Sequence, residues 1–531
     1  MSAAGASGRR RSWWGWGWED QALDDATARK LCTGVAATFG TDLSLADPPR
    51  LEDLDLPAPR VRPPSALESI VDDTLHARAS HALGKSYRDI VRGFRGQLEH
   101  PPDLVARPST ETHVAHLLDW CADADIAAIP YGGGSSVVGG IEAAVGDDFT
   151  AAVSIDLTRL DRVLEIDPVS RAARIQAGAL GPVLEDQLRP HGYTLRHFPQ
   201  SFEFSTLGGW LATRSGGHYA TVYTHIEDLL ESLRVVTPTG ISESARLPGS
   251  GAGPSPDRLF CGSEGSLGII TEAWMRIQER PRWKVSAGAH FADLAAGAAA
   301  VRAISQSALF PTNCRLLDPT EALTGAGVED GSALLVLGFE SADHPIDHWM
   351  DRALELVTDH GGTVPAGVRR SGPDDRASSD GAVGAWRNSF LRAPYGRDAL
   401  VRMSAIVETF ETACTWDRFE ELHAAVTETA GAAMEEICGP GGWITCRFTH
   451  VYPDGPAPYF SVIAPGRPGS EVAMWDELKA AVSEALAAAG GTITHHHAVG
   501  RDHARWYQRQ RPEPVGRALA AAKSAIDPAG I

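Results

Sequence analysis

Three short segments rich in glycine and small hydroxyl residues carry the most legible chemistry in the chain. The first is Pro130-Tyr131-Gly132-Gly133-Gly134-Ser135-Ser136, directly after the apolar run Ile126-Ala127-Ala128-Ile129. Glycine admits positive φ and close approach to the backbone, and successive N–H groups in such a turn form a concavity that binds anions. The second segment holds Pro199, Gln200, Ser201, Ser205, Thr206, Gly208 and Gly209 and runs on through Ala212, Thr213, Arg214 and Ser215. The third is Glu264-Gly265-Ser266-Leu267-Gly268-Ile269-Ile270. Any one of them reads equally as an ordinary turn; the trio points to a bound pyrophosphate. None matches G-x-G-x-x-G or G-x-x-x-x-G-K-[ST], so neither a Rossmann unit nor a P-loop is expected. The run His495-His496-His497 is the other unusual polar feature. Imidazole titrates near ~6.5 and suits proton transfer at neutral pH. A triple run also suggests a metal, but neighbouring side chains of a strand face opposite ways. One or two inward imidazoles are therefore expected, and no metal site.

Positioning these residues requires both helices and strands. Thr110 to Trp120 has a capping threonine and helical apolar spacing. Ala152–Leu157 and Leu164–Ile166 alternate as strands. Further on, helices are expected at Asp293–Leu309, Asp343–Asp359 and Glu471–Ala489, the last ending at Gly490-Gly491. Strands are expected at Ala333–Phe339, Thr445–His450 and Tyr459–Ile463, and a loop at Val368–Gly384. The pattern is α+β, without a clean βαβ repeat. It divides into an N-terminal arm and helical region (1–100), a nucleotide-binding domain (101–281), a second α+β domain (282–500) and a C-terminal helical segment (501–531). The cluster Trp13-Trp14-Gly15-Trp16-Gly17-Trp18 is expected to pack the arm onto the body. The prolines from Pro57 to Pro64 read as an extended linker.

A chain of 531 residues with 43% hydrophobic and 22% charged residues buries a sizeable core. Its formal charge of −20 argues against nucleic acid as a partner. Arg9-Arg10-Arg11 is a local exception, read as a solvated tail. No apolar run is long enough for a transmembrane helix. Seven cysteines without C-x-x-C spacing fit a reducing compartment, and the terminus Asp527-Pro528-Ala529-Gly530-Ile531 lacks a Ser-Lys-Leu address. A cytoplasmic location is expected.

In order and content, the three glycine segments resemble the FAD-binding type 4 flavoproteins, which share the fold of vanillyl-alcohol oxidase. The resemblance runs from about Ser12 to His497. It implies a two-subdomain FAD-binding fold with a second α+β substrate (cap) domain. The first two segments would wrap the FAD diphosphate and the third would line the isoalloxazine and adenine side. No histidine lies within Gly132–Val137, so non-covalent FAD is expected.

Within that family, 2-hydroxy acid dehydrogenases carry G-H-x-G-D-G-N-x-H. Here the slot reads Thr449-His450-Val451-Tyr452-Pro453-Asp454-Gly455-Pro456-Ala457-Pro458-Tyr459, with the second histidine replaced by Tyr459. Losing that imidazole disfavours a transition-metal site. Other blocks resemble the alkyldihydroxyacetonephosphate synthase branch. They are Trp14-Gly15-Trp16-Gly17-Trp18-Glu19-Asp20, Cys314-Arg315-Leu316-Leu317-Asp318, Ala393-Pro394-Tyr395-Gly396-Arg397-Asp398-Ala399, Glu408 to Phe419, and His495 to Gly500. Ala498 stands where the branch has glycine, and Gln200 where it has aspartate.

That resemblance implies exchange of the acyl group of acyl-dihydroxyacetone phosphate for a long-chain alcohol, without net redox change. Such a cycle needs a phosphate anchor, a proton-transfer set and an apolar tunnel. Arg315, Arg397 and Arg447 occupy motif positions, and the planar guanidinium fork suits phosphate. Tyr459 could act as acid or base, or only donate a hydrogen bond. Tyr459, His495, His496 and His497, with Arg315 and Arg397, form the candidate catalytic set, and His450 could join it. The implied partners are a lipid substrate, peripheral membrane contact and a second copy in a homodimer. The alternative is an FAD-linked oxidase or dehydrogenase of a small alcohol or 2-hydroxy acid.

Overall fold

The computed structural model describes residues 9–219, 221, 224–372 and 381–531. The apolar run at Ile126 becomes the strand Ile126–Tyr131. It pairs in parallel with Ala151–Asp156, which pairs in parallel with Leu104–Ala106. Every residue of Ala151–Asp156 is buried, as a strand with partners on both edges and a helix on its face requires. That helix is Glu111–Asp123, capped by Thr110, whose side chain accepts the N–H of His113. Its Val114, Leu117 and Leu118 pack against Ile126, Val153 and Ile155. Val71–Asp72 adds an antiparallel edge strand to this four-stranded sheet.

A second, five-stranded antiparallel sheet runs in the order Val163–Asp167, Ala172–Gln176, Ile269–Arg276, Leu230–Thr237, Gly240–Glu243. The third sheet has seven antiparallel strands, in the order Val368–Ser371, Trp283–Phe291, Ala333–Ser341, Asn313–Leu317, Trp443–Val451, Pro456–Ala464, Ile406–Glu411. Helices Leu294–Gln306 and Asp347–Asp359 pack on it through Val301, Ile304, Met350 and Val357. Helices Phe419–Cys438 and Glu471–Ala488 pack through Val426, Leu478 and Val482. Successive strand residues face opposite ways. Cys446, Phe448, Phe460 and Phe410 therefore meet the helices, and Arg447, Tyr459 and Glu411 take the other face in one row.

The segment 368–384 is not one loop. Val368–Ser371 is an edge strand bonded to Trp283–Phe291, residues 381–384 open the helix Gly381–Arg402, and 373–380 lie outside the described residues. A four-residue polar strand gains its place from backbone bonds to a longer neighbour, and its own side chains give no apolar pattern. The helix expected from Asp343 begins at Asp347, because the Ser341 hydroxyl accepts the N–H groups of Asp343 and His344 and holds them in a turn.

The N-terminal arm is pinned to the body. Trp13 and Trp16 are buried. A Cβ on Gly15 would stand 2.5 Å from the Asp398 carboxylate, and one on Gly17 would stand 2.3 Å from the Tyr395 hydroxyl. The W-G-W-G-W block and the Ala393–Ala399 block thus pack directly on each other. Nor is Arg11 a solvated tail. It donates to the Gly133 carbonyl at 2.9 Å and lies over the rings of Trp18 and Phe204. The C-terminus returns to the first sheet, where the Ile531 carbonyl accepts the Ala128 N–H. No helix among the described residues is long and apolar enough to cross a membrane.

Candidate active site

A cavity of about 570 Å³ is lined by residues from the three larger sheets, including Tyr131, Ile270 and Tyr459. The whole first segment, Pro130 to Ser136, forms part of its wall. Gly134 sits at φ +67, in the left-handed region that glycine tolerates. A Cβ on Gly133 would stand 1.6 Å from the Phe204 carbonyl oxygen, and one on Gly132 would stand 2.3 Å from the Thr206 hydroxyl. The first segment therefore lies on the second with no room for side chains. Among the described residues, the N–H groups of Gly133, Gly134, Ser135 and Ser136 find no protein acceptor. This row of free donors fits a diphosphate.

The second segment differs from expectation. Gly208 and Gly209 are not in a loop but in the first turn of the helix Leu207–Thr213, capped by Thr206. The N–H groups of Leu207 and Gly208 are spent on the carbonyls of Ala179 and Ala177. Gly208 is there for close packing: its Cβ would stand 2.8 Å from that of Ala177. Pro199, Gln200, Ser201, Ser205, Thr206, Gly208, Gly209, Ala212, Thr213 and Ser215 still line the cavity. Arg214 does not; it takes a left-handed φ of 51 at the helix end and turns its guanidinium to Glu227.

Of the third segment, Glu264, Gly265, Gly268 and Ile270 line the wall. Ser266 is exposed and donates back to the Ser263 carbonyl. Leu267 and Ile269 sit in the hydrophobic core, where strand alternation and the turn direct them. The Glu264 carboxylate accepts the N–H groups of Val499 and Gly500 at 2.9 and 2.8 Å, tying this segment to the chain just after the histidine run.

The candidate catalytic residues converge on the cavity with one exception. Arg315, Arg397, Tyr459, His496 and His497 line it, together with Arg447 and His450. His495 instead turns to Tyr452, with its Nε2 2.7 Å from the phenol oxygen. Arg397 donates to the Lys85 carbonyl at 2.5 Å, and its Nε has no partner among the described residues. Burial lowers Arg397 below its usual value, takes Arg315 to about 9 and takes Lys85 to about 8. Arg447 is paired with Glu321 at 2.7 Å and lies 4.0 Å over the Tyr459 ring. Burial raises the Tyr459 phenol, so at neutral pH it is a protonated donor. Burial pushes His497 down to about 3, so at neutral pH it is an uncharged acceptor.

The histidine run lies not in a strand, where side chains would alternate, but in a bent segment between 493 and 497. The rings can therefore gather on one side. Ligand atoms of His450, His495 and His496 lie within 4.8 Å of one another, close enough to hold a metal ion. One nitrogen of each ring is nonetheless engaged with a protein group: His450 Nε2 with the Gly217 carbonyl, His495 Nε2 with Tyr452, and His496 Nδ1 with Glu411. Sequence reasoning left Glu411 and Tyr452 out of the site. All seven cysteines are free and none lines the cavity.

The site and fold define an FAD-dependent enzyme with the vanillyl-alcohol-oxidase-type architecture. A family model described as "FAD binding domain" matches residues 102–244, and "FAD linked oxidases, C-terminal domain" matches 280–531. A 4-ethylphenol oxidase from Gulosibacter chungangensis shares the fold, with a TM-score of 0.65 over 96% of this chain and 97% of that one at 15% identity. The chain belongs to the alkyldihydroxyacetonephosphate synthase family. It is 33% identical to an alkyldihydroxyacetonephosphate synthase of Dictyostelium discoideum over 478 residues, 87% of this chain and 77% of that protein. A solved alkyldihydroxyacetonephosphate synthase superposes with a TM-score of 0.80 at 27% identity, covering 98% of both chains.

Proposed function

We propose that the protein exchanges the acyl group of acyl-dihydroxyacetone phosphate for a long-chain alcohol, giving an ether lipid precursor. The observation that carries this reading is the convergence of Arg397, Tyr459 and His497 on the cavity that the free N–H row also lines. Arg397, with an unspent Nε, and Arg315 give the cavity a cationic wall suited to the substrate phosphate. Leu31, Leu400, Val407 and Ile463 supply an apolar wall for the chain. Non-covalent FAD would lie with its diphosphate on Gly133–Ser136. When bound, it supplies the electron-rich ring that permits exchange at the substrate carbon without net oxidation. The neutral His497 takes a proton from that carbon and returns it once the new bond has formed, while the Tyr459 hydroxyl holds the departing oxygen. The carbon–carboxylate bond breaks, a bond to the alcohol oxygen forms, and the alcohol proton leaves with the fatty acid. No electrons are consumed.

The test is anaerobic incubation with acyl-dihydroxyacetone phosphate, a long-chain alcohol and a redox dye. The proposal expects an ether product and an unreduced dye. Dye reduction by a small alcohol or 2-hydroxy acid, with no ether formed, establishes a dehydrogenase instead. A cytoplasmic location, transient docking on the membrane that holds the lipid substrates, and a homodimer complete the proposal. Vesicle flotation and light scattering measure the last two.

A further inference from the structure

The register of the seven-stranded sheet places a carboxylate beneath the histidine run. Glu411 ends the strand Ile406–Glu411 directly opposite Tyr459, which lies directly opposite Arg447. Glu411 is 2% exposed. Its two oxygens accept the backbone N–H groups of His495, His496 and His497 at 2.6, 2.9 and 3.0 Å, and the Thr494 hydroxyl as well. Three consecutive N–H groups converging on one anion form a nest. Here the anion is the chain's own side chain. His496 Nδ1 lies 3.1 Å from one carboxylate oxygen and His497 Nδ1 3.8 Å from the other. A carboxylate is buried without large cost only where several donors meet it, as these do.

We propose that Glu411 is the positioning residue of the proton-transfer set. Its carboxylate shapes the irregular backbone at 494–497 and fixes the ring of His496 through Nδ1. It thereby holds His496 and His497 against Tyr459, at ring-centroid distances of 6.2 and 5.7 Å. An acidic side chain that orients an imidazole acts through the ring that does the chemistry, and touches no substrate itself. Which proton is moved rests on the transferase reading; the arrangement of the loop does not.

Two variants of the FAD-loaded enzyme test this. Glu411→Gln keeps the size but turns an amide –NH2 toward the N–H donors; Glu411→Asp keeps both acceptor oxygens. Glu411→Gln is expected to retain FAD, to leave KM within about threefold and to lose about 10²-fold in kcat. Glu411→Asp is expected to recover part of that loss. Parent-level kcat in Glu411→Gln, or no recovery in Glu411→Asp, overturns the proposal. Should Glu411→Gln fail to fold, ¹⁵N-histidine NMR of the unaltered holoenzyme decides. A strongly downfield Nδ1–H resonance is expected, removed by His496→Asn; its absence overturns the proposal. That signal needs no substrate. If it is present but no ether forms, the function is wrong and the positioning role stands.

Discussion

Arg447, Tyr459 and Glu411 stand in one row across three strands because they share a register position and a face. Each is polar in a strand whose alternate residues are apolar, and each is buried. Burial sets the protonation states: a protonated phenol at Tyr459 and a neutral imidazole at His497. Tyr459→Phe and His497→Ala are expected to fold and keep FAD while losing about 10²–10⁴-fold in turnover, the cost of a lost general acid or base. They should also lose exchange of the substrate hydrogen with deuterated water. Parent-rate exchange in both removes them from the chemistry. Arg397→Lys keeps the charge and loses the planar fork. We expect kcat/KM to drop at least about tenfold, some 1.4 kcal/mol, with flavin content unchanged. Undiminished kcat/KM means that phosphate is held elsewhere.

At the scale of elements, the glycine segments work by contact between loops. The Gly133 position is closed by the Phe204 carbonyl, so Gly133→Ala must separate the first segment from the second. The expected result is loss of bound FAD, read as the flavin-to-protein absorbance ratio. Gly34→Ala is the control: Gly34 lies exposed in the helix Asp25–Phe39 with open space at its Cβ, and the change should stabilise by about 0.5–1 kcal/mol. Full flavin content in Gly133→Ala contradicts the packing account. The first segment was legible because its glycines and preceding apolar run were contiguous. Gly208 misled because helix packing and anion binding both call for glycine, and only the bonds of its first turn separate them. Glu411 lies in the Glu408–Phe419 block, yet its role was unreadable there for a different reason. A buried acid inside a strand has no signature until the partner strands are known, and its donors lie more than 80 residues away in sequence.

At the scale of the whole molecule, three buried histidines make stability depend on pH. Burial depresses His197 and His497 to about 3 and His503 to about 4, from an ordinary value of ~6.5. The unfolded chain then binds more protons below pH ~6.5, so their contribution is complete above that pH and is lost as pH falls. Asp398 and Asp502, raised to about 6 by burial, act in the opposite sense and gain stability only as pH falls below that value. The thermal midpoint should therefore begin to fall below about pH 7.5 and keep falling below pH 6, where the two aspartates offset only part of the histidine loss. His503→Gln should shrink that drop; a midpoint flat across the range contradicts it. The same burial that tunes these groups comes from joining three sheets and two terminal arms around one cavity. The strands and helices of that assembly were readable from local pattern. The meeting of Trp16 with Asp398, and of Glu264 with Val499, was not, because these pairs are joined only by the fold.

In the proposed exchange the alcohol oxygen is joined to the substrate carbon in place of the carboxylate, with no net oxidation. Incubation of the FAD enzyme with acyl-dihydroxyacetone phosphate and an ¹⁸O-labelled long-chain alcohol, followed by mass spectrometry of the lipid product, measures this directly. The expected result is an ether that retains the label and a released fatty acid without it. An ether lacking the label, or labelled fatty acid, or no ether at all, would contradict it.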